Sequence, residues 1–199
     1  MVVAEARFRG WSDPSSVTRG QVLAVVANAT SDWVKLPTGR STYTILDREG
    51  TRTASGAFGY AFPQRLPPGG RAYLVDFIDA SFADLAQLQK VTVEPVFERS
   101  DPVAEGIAVI DLSWNRPDGG GLIATGRVTN SSPTEAHDLV VATVFLDAAG
   151  APLAVMYEPQ PFTLAQGESH AFATTYPDAG PLKAADIAEV ETIAAPLER

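Results

Sequence analysis

Apolar residues along this chain come in short bursts, and Gly, Pro, Asn or Asp close each burst. Such punctuation, with Val, Ile, Thr, Tyr and Phe filling the bursts, predicts short β-strands. The pattern places strands over residues 22–27, 41–46, 71–77 and 91–97, and again over 107–113, 122–129, 139–146, 151–157 and 169–176. The longest uninterrupted apolar run, Val22 to Ala27, is far below the roughly 18 residues of a membrane span. "LVVATVFL" from Leu139 is almost wholly apolar, as suits a strand covered on both faces in the middle of a sandwich.

The pattern occurs twice. Trp11, Asn28 and "LDREG" from Leu46 match Trp114, Asn130 and "LDAAG" from Leu146 in the same order, at a separation of about a hundred residues that drifts slowly. "FPQRLPPGG" from Phe62 is echoed by "EPQPFTLAQG" from Glu158, and "FADLAQLQKVTVEPVFE" from Phe82 by "LKAADIAEVETIAAPLE" from Leu182. A drifting offset of this size marks two copies of a domain whose loops differ in length, not a solenoid of short units. Each copy also carries a helical hint before its last strand, "SFADLAQL" from Ser81 and "GPLKAADIAEV" from Gly180. "ERSDPVAEG", from Glu98 to Gly106, breaks the apolar pattern with charge, Pro and Gly and is the natural hinge. The expected architecture is all-β: two tandem antiparallel sandwiches over 1–100 and 101–199, with one short helical turn in each.

Composition changes this picture in three places. At 45% hydrophobic and 20% charged, the 199-residue chain can build a core and is unlike a disordered sequence. The absence of cysteine removes disulfides, zinc-thiolate sites and thiol nucleophiles. "MVVAEARFRG" lacks the basic start and apolar stretch of a secretion leader. The net charge of −9 lies wholly in the second copy: residues 1–98 hold 10 Lys+Arg and 10 Asp+Glu, residues 99–199 hold 5 and 14. Neither half offers the clustered Lys and Arg that nucleic-acid phosphates require, so no nucleic-acid partner is expected. An acidic second copy would favour a basic partner, with association slowed by salt.

Two β units with an "N-x-S/T" turn after an early strand, strands ending "YTILDREG" and "TVFLDAAG", and "LPPGG" or "LAQGE" turns before another strand resemble bacterial immunoglobulin-like FxLYD domains. The resemblance covers most of both copies. It implies immunoglobulin-type sandwiches, an extracellular or cell-envelope location, no catalysis and no cofactor.

The chemistry-bearing residues have architectural readings beside functional ones. Asn28-Ala29-Thr30 and Asn130-Ser131-Ser132 are glycosylation sequons, but Asn also accepts turn geometry and caps the end of a strand, which accounts for the repetition. "DREG" at Asp47 and "DAAG" at Asp147 fit hairpin turns, and lack the alternating oxygen ligands of a calcium loop. His137 and His170 fall in the second copy without metal-ligand spacing. Ser132, His137 and Asp138 hold the letters of a triad, yet neighbours on a regular strand face opposite ways. Gly119 to Gly121 lack the Lys and helix of a phosphate loop and read as a hairpin tip.

The Pro-rich aromatic segments "FGYAFPQRLPP" and "MYEPQPF" are the candidate binding surface, through Tyr60, Phe62, Tyr157 and Phe162. Pro confines such stretches to sheet margins and connections, where aromatics serve peptide or sugar contacts, while the same rings could instead close the core. The sequence thus points to a non-catalytic binding or spacer module with a protein or polysaccharide partner in the cell envelope. The alternative is a small-ligand or carbohydrate-binding module accessory to an enzyme.

Overall fold

The computed structural model describes residues 1–12, 18–79, 88–103, 106–117, 121–176 and 182–197. Within them the chain is antiparallel β-structure with a single 3₁₀ turn, in two compact units, Met1–Pro102 and Val103–Arg199.

The first unit contains β1 (Val2–Ser12), β2 (Thr18–Ala27), β3 (Val34–Lys35), β4 (Thr42–Asp47), β5 (Arg52–Ala57), β6 (Tyr60–Phe62), β7 (Arg65–Leu66), β8 (Arg71–Asp79), β9 (Leu88–Glu94) and β10 (Glu98–Arg99). One sheet runs β1-β2-β8-β6, a second β5-β4-β9, and a small third β10-β3-β7. Alternation decides which side chains enter the core. Val22, Ala24 and Val26 of β2 and Ala72 and Leu74 of β8 meet Tyr43 and Ile45 of β4, with Val34, Leu36, Phe58, Ala61 and Leu66 filling the remaining space. The opposite parity of β2 and β8 is buried as well, at Leu23, Tyr73 and Val75.

β1 was not expected, and its register gives the reason. Val3 pairs with Val26 but Glu5 pairs with Val25, so Ala4 is an extra residue and a bulge. The bulge flips the parity: Val3 packs on the core before it, Ala6 and Phe8 after it. Read as simple alternation, the stretch looks like a mixed terminus. β5, "RTASGA", is hidden for a different reason: it has one β-branched residue, and its pairing with β4 rather than its own propensity holds it.

The second unit contains β11 (Ile107–Asn115), β12 (Leu122–Asn130), β13 (Ala136–Leu146), β14 (Pro152–Tyr157), β15 (Phe162–Leu164), β16 (Ser169–Tyr176) and β17 (Glu189–Pro196). β11-β12-β16 form one sheet. In the other, β13 pairs with β14 and β15 in succession along one side and with β17 along the other. Leu139 to Leu146 are all buried, as the almost wholly apolar run predicts. Val128, Leu139, Val141, Leu164 and Phe172 form a core between the sheets, and the Trp114 ring meets the Phe145 ring edge-on at 5.8 Å. The strand orders β1-β2-β8 and β5-β4-β9 of the first unit recur here as β11-β12-β16 and β14-β13-β17.

The helical turn expected in the second copy is one 3₁₀ turn, Ala184–Asp186, closed by the Lys183 N–H donating to Asp186 Oδ2 at 3.3 Å. The turn expected at Ser81 lies outside the described residues. Among the described residues no helix is long and apolar enough to cross a membrane.

Candidate functional site

The repeated Asn residues sit at the ends of equivalent strands, Asn28 directly after β2 and Asn130 as the last residue of β12, and both are 1% exposed. The Asn28 amide donates to Asp32 O (2.8 Å), Pro67 O (2.9 Å) and Leu66 O (3.3 Å). Its Oδ1 accepts from Thr30 N (3.1 Å) and Thr30 Oγ1 (2.7 Å). Asn130 repeats the pattern: its amide donates to Thr134 O and Leu164 O, both at 2.9 Å, and its Oδ1 accepts from Ser132 N (2.9 Å) and Ser132 Oγ (2.6 Å). The backbone around them matches too. Gly69 N donates to Asn28 O at 2.8 Å and Gly167 N to Asn130 O at 2.7 Å, from glycines at φ 74° and 78°. The third residue of each sequon therefore serves as a hydrogen-bond partner of the Asn. These are buried clips joining a strand end to a distant turn.

Asp47 and Asp147 are equally alike. Asp47 Oδ1 accepts from Glu49 N (2.9 Å) and Thr51 N (2.8 Å), and Asp147 Oδ1 from Ala149 N and Ala151 N, both at 2.9 Å. Gly50 and Gly150 follow at φ 80° and 76°, a left-handed geometry that favours Gly. Each carboxylate organises its own hairpin.

The four candidate aromatics have different environments. Tyr60 and Phe62 of β6 lie on one strand face and stack, with centroids 6.0 Å apart and planes at 6°. Phe62 is only 1% exposed and so is not part of a solvent-facing surface. Tyr60 is half-buried and meets Phe77 of β8 edge-on at 6.5 Å, and Phe77 is 44% exposed. Phe77 was not anticipated: strand alternation leaves open which face of β8 is covered. In the second unit Tyr157 is half-buried at the end of β14, opposite Ala142. Phe162 packs against the core and stacks on His170 with centroids 4.0 Å apart. His170 Nε2 is 3.8 Å from Glu158 Oε2, and neither atom has a hydrogen-bond partner among the described residues.

Ser132, His137 and Asp138 do not assemble into a triad. The Ser132 hydroxyl serves the Asn130 clip and reaches Thr134 O at 2.7 Å. His137 and Asp138 are exposed in an irregular stretch of β13, where the register shifts between Ala136 and Leu139 and Asp138 takes φ 52°. Simple alternation does not hold there, so that argument about their facing loses its premise. Leu122 begins a strand as expected, while residues 118–120 lie outside the described residues. Among the described residues no group of three or more His, Cys, Asp or Glu could hold a metal ion.

No protein-family model and no curated protein matches the chain. Among solved structures it is similar to a calcium-binding mutant of Bacteroides uniformis beta-glucuronidase 2, at 15% identity and TM-score 0.25 over 87% of this chain and 24% of that one. A beta-glucuronidase from glycoside hydrolase family 2 gives 12% identity and TM-score 0.27 over 82% of this chain and 21% of that one. The chain spans less than a quarter of the length of either.

Proposed function

We propose that the chain is a tandem pair of immunoglobulin-like domains of FxLYD type that acts as a non-catalytic binding or spacing module in the cell envelope or extracellular space. One observation carries the reading. The polar residues that recur between the units, Asn28 with Asn130 and Asp47 with Asp147, are spent on matching structural closures. What is repeated is scaffold, so function resides where the units differ, on their surfaces. Such a surface is the Tyr60–Phe77 aromatic rim, exposed at the margin of the first unit's larger sheet.

In-cell cross-linking, fractionation and mass spectrometry test the proposal. The expected result is recovery from the envelope or medium, linked to one recurring neighbour. Recovery from the cytosol without a neighbour would defeat it. The same rim favours a second reading as a carbohydrate-binding module, since a half-buried Tyr beside an exposed Phe offers an apolar face to a sugar ring. Saturable binding to one member of a soluble glycan panel, abolished by Phe77→Ala, would favour that reading over a spacer.

A further inference from the structure

The outer face of the second unit's three-stranded sheet departs from the acidic character of that unit. Val109, Val128 and Phe172 pack on the core, so the residues that alternate with them on β11, β12 and β16 face outward. Across the sheet Ile110 stands opposite Arg127, and Arg127 opposite Ala171; one step along, Thr125 stands opposite Ala173, and all five are exposed. Short Thr and Ala side chains keep this face shallow around Arg127. At the border of the sheet β11 carries a bulge: Ile110 pairs with Arg127 and Ser113 with Thr125, so Asp111 and Leu112 together stand against Gly126 alone. Asp111 is held at φ 55°, a left-handed conformation that few residues with a side chain adopt. Ile110 and Leu112 on either side of it are 40% and 37% exposed. Asp111 follows the residue opposite Arg127, yet the two make no ion pair, and among the described residues neither has another partner. Two unpaired charges of opposite sign thus share one exposed border with two large apolar side chains, in a unit whose acidic excess opposes association elsewhere on its surface.

We propose that this face is the contact surface for a second copy of the same chain, related to the first by a two-fold axis. Charge selects the occupant. A partner of one sign would meet either Asp111 or Arg127 with a like charge. A two-fold instead sets Arg127 of each copy against Asp111 of the other and satisfies all four groups at once. Ile110 and Leu112 of both copies then leave water between those pairs, giving the contact an apolar centre. Strand addition along β11 is not the mode, because the bulge interrupts the regular row of N–H and C=O groups that an added strand needs, so the copies meet through the outer sheet faces. The surface lies in the second unit, whereas the Tyr60–Phe77 rim lies in the first, and the inference does not depend on the module reading.

Sedimentation velocity of the full chain from about 1 to 500 μM, the range of weak to moderate association, tests the assignment. The chain should pass from monomer to dimer as concentration rises. Arg127→Glu and Asp111→Lys should each keep it monomeric, because each sets like charges together at both contacts. Mixed in equal amounts, the two variants should dimerise again: the new acid of one faces the new base of the other, and the native pair forms at the second contact. Ile110→Ser should weaken the dimer by about tenfold or more while leaving the melting temperature unchanged. Should Asp111→Lys misfold at its left-handed backbone, Asp111→Asn, which accepts that conformation, should still weaken the dimer by about tenfold or more. A chain that stays monomeric throughout, assembly beyond the dimer, or a dimer that these variants leave intact would overturn the surface. Folded charge variants that fail to dimerise when mixed would overturn the reciprocal pairing. A monomer would leave the module reading standing, since cross-linking to an envelope neighbour tests that separately.

Discussion

The Tyr43 hydroxyl donates to Asp76 Oδ2 over 2.7 Å, and that bond ties β4 of one sheet to β8 of the other. Tyr43 is 4% exposed, with its ring 5.1 Å from that of Phe58. Gly56, opposite Tyr43 across the β4–β5 pair, makes room for it: a Cβ there would lie 2.5 Å from the hydroxyl. Tyr43→Phe should cost about 1.5–3 kcal/mol, the usual worth of a hydrogen bond to a charged group. Gly56→Ala should cost about 1–3 kcal/mol by overpacking. Urea denaturation measures both, and because they act on one contact the double variant should lose less than the sum.

The same bond makes stability fall in alkali. Burial first, then the hydrogen bond to Asp76 and that residue's charge, hold the Tyr43 phenol well above its ordinary range. With the folded value raised, the contribution is complete below about pH 10, where the unfolded phenol is still protonated. It is lost as pH climbs from there toward the folded value. The stability difference between wild type and Tyr43→Phe should therefore shrink above pH 10 in paired denaturation curves. A constant difference from pH 8 to 12 would refute the linkage.

Neither sequon should carry a glycan on the folded protein, because both amide groups donate inward and both residues are 1% exposed. Intact-mass measurement after secretion from a glycosylating host checks this. Asn28→Ala and Asn130→Ala should each cost about 2–4 kcal/mol, since each strands several backbone groups in a buried turn. The Asp variants, which keep the acceptor and lose the donors, should also destabilise.

Phe62 of β6 and Phe77 of β8, the two rings that meet Tyr60, should separate by burial. Phe62→Ala should lose about 3–5 kcal/mol. Phe77→Ala, on an exposed side chain, should stay within about 0.5 kcal/mol. If Phe77→Ala proved as damaging as Phe62→Ala, the aromatic rim would belong to the core and lose its claim as a binding surface.

The parts of this fold legible in the sequence are those governed by neighbours in the chain. Asp47 and Asp147 bond to N–H groups two and four residues on, so four letters are enough to mark each hairpin. The almost wholly apolar run from Leu139 likewise marks a strand in the interior. Asn28 was readable as a turn residue, but not as a clip to Leu66 and Pro67, because that contact spans nearly forty positions. The gathering of Lys35, Arg65 and Arg99 around one open cleft was unreadable for the same reason. Lys35, Arg65 and Arg99 are scattered through a half with no net charge, and only the β10-β3-β7 pairing gathers them. Of the aromatic quartet, the sequence marked Tyr60 and Phe62 together, yet backbone pairing decided that one ring would be covered and the other half open.

The extra residue in β1 has a consequence for how these molecules behave in a crowd. β1 borders its sheet, and a straight, regular border is a template on which a strand of another molecule can add. Ala4 interrupts that template, and just beyond it Arg7 Nε donates to Glu5 Oε1 at 3.0 Å, setting a hydrated ion pair along the approach. A chain with Ala4 deleted would regain perfect alternation and lose this protection: the tidier strand would be the one that seeds fibrils.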